Sequence, residues 1–551
     1  MYQALLVFRY LTSRIIPLIA VAAVALCVTL VIVVVSVMTG FLDMLRSSGR
    51  TLVGDVIVSH DLVGIPYYEE LITAIEKVDG VEAAAPVVET FGLVSMPYGV
   101  RGGNRVEMLS IWGIDPTRLQ RVVDYKRMLY WQYPDDELMP TLASDDPRLD
   151  RSFDALDQAM EMRSPEGAPG MVLGIEISPF NQRQRDGSYR TAPRFGAPQN
   201  PDYWMVGQNV SLTVVPVTSG GTLKAENRTS MRIVNEFRTG VFQFDNNRVL
   251  VGLAELQKML SLDESTQRDP VDGTVLGVKP ARATTILVRA KEGVDPNVLK
   301  DRIAPVVDEF LAAKASDPAV LKAQVIVPAG IEVKTWEERL ESLIGPVEKE
   351  RALMRTLFSL IYVVCAGLVL AIFWAIVAEK TRDIGILRSV GAGRVGILAI
   401  FLAYGLVIGV LGSGVGLGLA ALVVGHINEI HTAMGQPPPA AIAFAAAAAA
   451  FAAILAAVYS ARRGSVLYTL LWLIVAVILG GLAFLFNYLR QTGGFTIWDP
   501  RVYYFSRIPS QLDLANALLT MAFATLFSVI GAAVPAAKAA DTDPVRSLRY
   551  E

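Results

Sequence analysis

The chain has 551 residues, of which 52% are hydrophobic and only 19% are charged, and its mean hydropathy is +0.42. This composition is too apolar for an ordinary soluble protein, yet it leaves enough polar sequence for one sizeable soluble region. The formal net charge of -3 gives no basic excess with which to neutralise phosphates, so nucleic acid is not an expected partner.

Six apolar runs are each long enough to cross a bilayer, whose hydrocarbon core takes about 20 helical residues. The first run is too long for a signal peptide and continues without a small-residue cleavage site. Alanine is only marginally lipophilic, so a protein-covered or interfacial helix is an alternative for 440–461. We predict an α-helical integral membrane protein with four core spans plus an extra two-helix hairpin, at 16–41, 351–378, 396–427, the hairpin 440–489, and 512–537.

The short connections between these runs indicate the orientation. Lys and Arg cluster before the first run, between the second and third, between the helices of the hairpin, and after the last run. Such residues mark the cytoplasmic side of a membrane protein. The predicted cytoplasmic segments are 1–15, 379–395 and 538–551, and the predicted extracytoplasmic segments include 42–350 and 490–511.

Residues 42–350 mix alternating patterns such as NVSLTVVPV with helical patterns such as PNVLKDRIAPVVDEFLAAK. This mixture predicts a large α+β extracytoplasmic domain. Polar sequence rich in Asp, Pro and Gly between about 125 and 203 predicts surface insertions, whose acidic residues lack the spacing of a calcium loop. A helical pattern that begins at Trp336 is expected to continue into the second span.

Motifs for bond chemistry are absent from the sequence. It contains no GxxxxGK[ST] phosphate loop, no GxSxG elbow and no HExxH pair, so neither catalysis nor a metal site is expected. Cys27 and Cys365 both lie in apolar runs, where we expect packing thiols and not a disulfide.

The third span carries small residues at helical spacing, an arrangement that lets two helices pack closely. Static packing and an interface that shifts during function are both consistent with this pattern. The pairs are Gly405 and Gly409, Gly412 and Gly416, and Gly414 and Gly418.

The stretch EKTRDIGILRSVGAGR, residues 379–394, is a charged, helix-forming segment between two spans. As a helix it places Ile384, Leu387 and Arg388 on one side, where they face a partner protein's groove or merely anchor the turn. This stretch resembles the coupling helix of FtsX-like ABC permeases, which seats in a cleft of a partner ATPase. The resemblance implies ATPase contacts at Glu379, Lys380, Arg382, Ile384, Gly385, Leu387, Arg388 and Gly391.

Other stretches, among them FRYLTSR, GMVLGIEIS, EFRTGVFQFDNNRVLVGLAELQKML and WDPRVYYFSRIPSQL, resemble the permease subunits of lipoprotein-releasing (Lol) transporters. The resemblance implies a bacterial inner-membrane permease that transfers lipoproteins to a periplasmic carrier. It also implies a second permease chain, the same or homologous, and a separate ABC ATPase that holds ATP and Mg, with no cofactor in this chain. Carrier-contact residues carried over by position are Pro216, Thr222, Leu223 and Lys224.

A lipid-anchored substrate needs an apolar receiving cavity, which we expect at the outer ends of the first two spans. Two other functions remain open at this stage. One is an export permease of the macrolide-exporter type, and the other is a regulator that activates a periplasmic cell-wall hydrolase. The predicted cavity residues are Val35, Met38, Phe41, Leu357 and Leu360.

Overall fold

A computed structural model of the chain divides into two compact units. The helical unit comprises residues 1–42, 348–502 and 507–551, and the sheet unit comprises residues 43–347 and 503–506. Most of the predicted segments 1–15, 490–511 and 538–551 lies outside the described residues. The structure describes residues 15–60, 63–98, 103–132, 154–184, 187–191, 204–217, 222–268, 274–328, 330–492 and 507–541.

Helices make up the helical unit, whereas helices and strands alternate in the sheet unit. The helices are α1 (Ile15–Val53), α2 (Tyr68–Ile75), α3 (Pro116–Val122), α4 (Tyr125–Met128), α5 (Asp154–Glu161), α6 (Phe242–Asp245), α7 (Leu253–Leu260), α8 (Pro296–Ser316), α9 (Pro318–Lys322), α10 (Trp336–Arg339), α11 (Glu341–Glu379), α12 (Thr381–Ser389), α13 (Arg394–Gly425), α14 (Ile427–Gly435), α15 (Ala440–Arg462), α16 (Val466–Thr492) and α17 (Leu514–Ala540). The strands are β1 (Val56–Ser59), β2 (Ile65–Pro66), β3 (Val81–Tyr98), β4 (Gly103–Ile114), β5 (Gly170–Gly174), β6 (Asn181–Arg183), β7 (Tyr189–Thr191), β8 (Asn209–Val214), β9 (Asn227–Phe237), β10 (Arg248–Gly252), β11 (Ser265–Arg268), β12 (Val275–Lys279), β13 (Arg282–Ala283), β14 (Thr285–Ala290) and β15 (Glu332–Thr335).

Among the described residues, six helices are long and apolar enough to cross a membrane. Each exceeds the roughly 20 residues that the hydrocarbon core requires. The predicted fold class, six spans with a large α+β domain, is therefore confirmed. The candidate spans are Pro17–Met44, Ile344–Glu379, Arg394–Gly425, Ala440–Arg462, Tyr468–Gln491 and Leu514–Ala540.

Four of the six spans share one core. Helices α1, α11, α13 and α17 bury residues such as Cys365 and Phe373 against one another, and this cluster includes no residue of α15 or α16. Those two helices pack on each other instead, with Ala453 buried between them and a left-handed turn at Gly464 joining them. Cys27 and Cys365 are both free thiols. The arrangement is thus a four-helix core with a separate hairpin.

The sheet unit is built on a nine-stranded sheet of order β15-β1-β14-β3-β4-β10-β5-β9-β8. Because β8 also pairs with β3, strands β3, β4, β10, β5, β9 and β8 form a closed ring of pairings. The alternation in the sequence explains which side chains fill it. In β8, Val210, Leu212 and Val214 are buried in the ring's core, whereas the residues between them are more exposed.

Strands β14, β1 and β15 extend this sheet beyond the ring, and helices cover both faces of the extension. Val56 and Val58 of β1 share a core with α2 and α8. Ile57, which points to the opposite face, shares a core with α3 and with Trp336 of α10. Strand β1, which is short and fully buried, therefore contributes side chains to both cores.

Parts of the predicted insertions at 125–203 belong to the folded core. Strand β5 lies inside the large sheet, between β10 and β9. Tyr130, Trp131, Tyr189 and Trp204 form a buried aromatic cluster, in which the two tryptophan ring centroids are 4.7 Å apart. The prediction of surface insertions is wrong at these residues. The stretch is polar on average, but its few large aromatic side chains are buried.

Candidate functional site

The connection between α11 and α13 is the charged helix α12, which is held against the ends of the spans. Ile384 is 2% exposed, and Gly385 is also buried. Arg388 Nη1 donates a hydrogen bond to the backbone oxygen of Ala540, 3.0 Å away, at the carboxyl end of α17. A cation at this place also complements the partial negative charge of the helix end. Helix α12 is therefore tied directly to the last span.

Three apolar side chains of this connection are exposed. Ile386 is 46% exposed, Val390 is 84% exposed, and Val395 at the start of α13 is 78% exposed. Of the two alternatives for Ile384, Leu387 and Arg388, anchoring of the turn fits Ile384 and Arg388 better, because both contact the chain's own helices. A helical projection shows where apolar residues group, but it does not show which group the neighbouring spans cover.

The other predicted contact residues lie toward the ends of the connection. Glu379 and Arg382 are exposed. Lys380, which immediately precedes α12, has its Nζ 3.0 Å from Oδ2 of Asp383 in the first turn of that helix. Gly391 has a φ of +104°, a left-handed conformation that favours glycine, and it turns the chain from α12 toward α13.

A cavity of about 400 Å³ lies among α1, α11 and α17. Aromatic rings form much of its wall, and Tyr362 stacks on Phe527 with their ring centroids 6.0 Å apart. No Asp or Glu belongs to its described lining, which is Val31, Val35, Met38, Arg351, Met354, Arg355, Phe358, Ser359, Tyr362, Asn516, Leu519, Thr520, Phe523 and Phe527.

Of the five residues predicted for a cavity at this depth, Val35 and Met38 line it, whereas Phe41, Leu357 and Leu360 do not. Leu357 and Leu360 are 48% and 60% exposed, on another side of α11. The depth of the site in the membrane can be predicted from the sequence. Which side of α11 faces the cavity cannot, because apolar residues occur all round this helix.

The glycines of α13 divide into packed and open positions. A Cβ at Gly405 would lie 2.7 Å from a side-chain carbon of α17, and one at Gly409 would lie 2.9 Å from a backbone carbon of α17. Gly412 packs as closely on α1. Nothing lies within 4 Å of a Cβ at Gly414 or Gly418, so the predicted packing at those two positions is absent from the described part of this chain.

A short antiparallel bridge follows β8 in the sheet unit. Val217 pairs with Leu223, and the backbone nitrogen of Lys224 donates to the oxygen of Pro216 at 2.9 Å. Leu223 is 73% exposed. The predicted residues Pro216, Thr222, Leu223 and Lys224 therefore lie together where β8 leaves the sheet and β9 returns to it.

Comparisons with known families agree with this architecture. The MacB-like periplasmic core domain matches residues 18–306, which is more than half of the chain, and the FtsX-like permease C-terminal family matches residues 355–492. The chain is an FtsX-like ABC transporter permease. The predicted resemblance and the predicted inner-membrane location with a periplasmic domain are thereby confirmed.

Curated relatives of the permease are named lipoprotein-releasing system transmembrane protein LolC. The Neisseria meningitidis protein is 22% identical over 559 residues, which cover 100% of this chain and 99% of that protein. The Xylella fastidiosa protein is 22% identical over 219 residues, which cover 40% of each chain.

Two solved structures are similar to parts of the permease. The extracellular domain of the transporter YknZ from Gram-positive bacteria covers 47% of this chain and 95% of its own, at 9% identity and a TM-score of 0.23. The periplasmic region of MacB from Actinobacillus actinomycetemcomitans covers 53% and 94%, at 8% identity and a TM-score of 0.25. Scores this low carry no argument, so the assignment rests on the family matches.

Sequence reasoning missed two features of the permease. Arg351 and Arg355 line the cavity, and their four-residue spacing on one helix face was a usable signal. The exposed Ile386, Val390 and Val395 were also missed. No pattern in the sequence separates those three side chains from the covered apolar ones around them.

Proposed function

We propose that this permease uses ATP hydrolysis by a separate ABC ATPase to extract lipoproteins from the inner membrane and pass them to a periplasmic carrier. The observation that carries the proposal is the apolar cavity among α1, α11 and α17. Each acyl CH₂ contributes about 0.8 kcal/mol to membrane anchoring, so several chains leave the bilayer only for an apolar receiving site and with an energy source. The naming of the full-length relative supports the same substrate class.

The depth of the cavity suits a substrate anchored in the outer leaflet. Phe358 of the lining lies 21 residues before Glu379, where α11 ends on the cytoplasmic side. A helix rises 1.5 Å per residue, so the separation is about 32 Å, close to the full hydrocarbon thickness of about 30 Å. Phe358 therefore lies near the periplasmic surface, where the acyl chains of an outer-leaflet lipoprotein begin.

The contacts of α12 supply a route from the ATPase to the cavity. The exposed side chains of Ile386, Val390 and Val395 would enter a groove of the ATPase, and ATP and Mg²⁺ would be held by that partner. On the inner side, Arg388 ties α12 to the end of α17. Helix α17 also lines the cavity through side chains such as Phe523. A displacement of α12 would thus be transmitted to the cavity wall through one continuous helix.

The proposed function involves two further partners, the periplasmic carrier and a second permease chain. The exposed Leu223 on the bridge after β8 would contact the periplasmic carrier. A second permease chain, the same or homologous, would cover apolar membrane-facing surface of this one. The open positions Gly414 and Gly418 of α13 would allow its helices to approach closely.

The first test is the substitution Val390→Asp, which places a charge on the proposed ATPase-binding surface. The matched control is Val466→Asp, which changes a valine that is 73% exposed, in the first turn of α16 on the same side of the membrane. We expect Val390→Asp to abolish co-purification with the ATPase and lipoprotein-stimulated ATP hydrolysis, whereas Val466→Asp leaves both unchanged. Equal effects of the two variants would contradict the proposed contact.

The match to the MacB-like periplasmic core favours a second candidate, an export permease of the macrolide-exporter type. The same ATPase assay distinguishes the two functions. Stimulation by an acylated lipoprotein and not by a macrolide supports lipoprotein release. The reverse result would retain the coupling mechanism and reject the lipoprotein as substrate.

A further inference from the structure

We infer that the cavity among α1, α11 and α17 binds an anionic phospholipid, with an acyl chain along its aromatic wall and the phosphate between Arg351 and Arg355. The cavity combines two cationic side chains with a mainly apolar lining. Its described lining includes no carboxylate that would neutralise the arginines. An amphiphile with one negative headgroup and long apolar chains matches this distribution.

The two arginines are placed to act on the same headgroup. They are four residues apart on α11 and therefore project from one face of the helix. Arg351 Nη2 lies 3.4 Å from Thr39 Oγ1, a long contact that leaves most of its donors available, and Arg355 is exposed. Within the described residues, neither arginine forms an ion pair with an Asp or Glu. Guanidinium groups bind phosphate oxygens through paired, charge-assisted hydrogen bonds.

The depth of the arginines matches the level of phospholipid headgroups. Arg355 lies 24 residues before Glu379, about 36 Å along the helix. This distance exceeds the hydrocarbon thickness of about 30 Å, so the guanidinium groups lie in the periplasmic interfacial layer. Phe358 and Tyr362 follow them along α11 toward the membrane centre. A lipid held by its phosphate at the arginines would thus direct its chain past these rings.

The charge of the site selects the class of lipid. A zwitterionic headgroup carries its own cation, which two nearby arginines repel, whereas an anionic headgroup presents only the phosphate. The alternative is that both arginines extend into water and bind no lipid at all, as long basic side chains do at membrane surfaces. Both arginines line the same cavity beside aromatic rings, and no Asp or Glu belongs to its described lining, which favours binding.

The test compares two lipids that differ only in their headgroups, dioleoylphosphatidylglycerol and dioleoylphosphatidylcholine. Native mass spectrometry of the purified full chain in detergent counts each bound lipid. We expect about a tenfold preference for phosphatidylglycerol, the effect of one charge-assisted contact. The double variant Arg351→Gln/Arg355→Gln should reduce the preference to less than twofold. The control Arg462→Gln/Arg463→Gln removes two cations from the turn between α15 and α16 and should leave it unchanged.

Three outcomes would overturn the inference. They are equal binding of the two lipids, an unchanged preference in the arginine double variant, and binding of glycerol phosphate as tight as that of the intact lipid. Arg351→Lys/Arg355→Lys keeps both charges and should retain a preference above threefold, which separates charge recognition from misfolding.

The assay contains no ATPase and no lipoprotein, although the cavity is the one used in the proposed function. If the permease does not prefer the anionic lipid, this inference is wrong, but the proposed lipoprotein release is unaffected because the assay does not measure it. Conversely, a failure of lipoprotein release would leave the phospholipid site standing.

Discussion

Gly409 sets how closely α13 and α17 approach, so Gly409→Ala is expected to destabilise the helical unit. The new Cβ would lie 2.9 Å from the backbone Cα of Thr525 and 3.1 Å from Cβ of Ser528. A backbone atom cannot rotate away, so the helices must separate, and overpacking of this kind costs about 1–3 kcal/mol. The same substitution gains about 1 kcal/mol in helix propensity. The net destabilisation is therefore about 0–2 kcal/mol.

The control Gly414→Ala isolates the steric part of this effect. It makes the same chemical change on the same helix at a position with nothing within 4 Å, so it keeps the propensity gain without the clash. The two variants should differ by about 1–3 kcal/mol, or roughly 2–12 °C in thermal unfolding midpoint for a unit of this size. Thermal unfolding in one detergent measures the difference. Equal midpoints would refute close packing of α13 on α17.

Three other predictions follow from named contacts. Asn235→Ala should destabilise the sheet unit by about 2–4 kcal/mol in urea unfolding, because the buried Asn235 amide satisfies both the backbone nitrogen and the backbone oxygen of Trp131. The exposed control Asn209→Ala should stay within about 0.5 kcal/mol. Leu223→Asp should abolish binding of the proposed carrier in a pull-down, whereas the control Val278→Asp, at an exposed position of β12, should not. Equal loss of binding in the two variants would refute a contact between Leu223 and the carrier. Replacement of residues 440–489 by a short Gly/Ser linker should preserve ATPase coupling, since that hairpin contributes nothing to the described four-helix core; loss of coupling with normal folding would contradict this.

The spans were predictable because each apolar run exceeds the length that a bilayer requires, and that property is local in the sequence. The closed ring of strands was not predictable from the sequence. Its closure depends on β8 pairing with β3, which joins Gly92 to Val214 across more than a hundred residues. Alternation shows which side chains of a strand point inward, but it carries no information on which distant strand lies alongside.

The candidate sites show the same division between local and distant information. The level of the cavity in the membrane followed from counting residues along the spans, and Val35 and Met38 were placed by that count. Leu357 was predicted to line the cavity, whereas its neighbour Phe358 does so, because one residue of helix turns a side chain by about 100°. The burial of Ile384 was not predictable for a related reason, since it depends on neighbouring helices and not on the sequence of the segment itself.

ATP-driven release of an acylated lipoprotein is the measurement that tests the central claim most directly. The permease and its ATPase would be reconstituted in proteoliposomes with the lipoprotein, and the soluble periplasmic carrier would be added outside. We predict that carrier-bound lipoprotein appears in solution only with hydrolysable ATP, and that the Val390→Asp variant releases none. Normal ATP hydrolysis with the lipoprotein retained in the liposomes would contradict the proposed function.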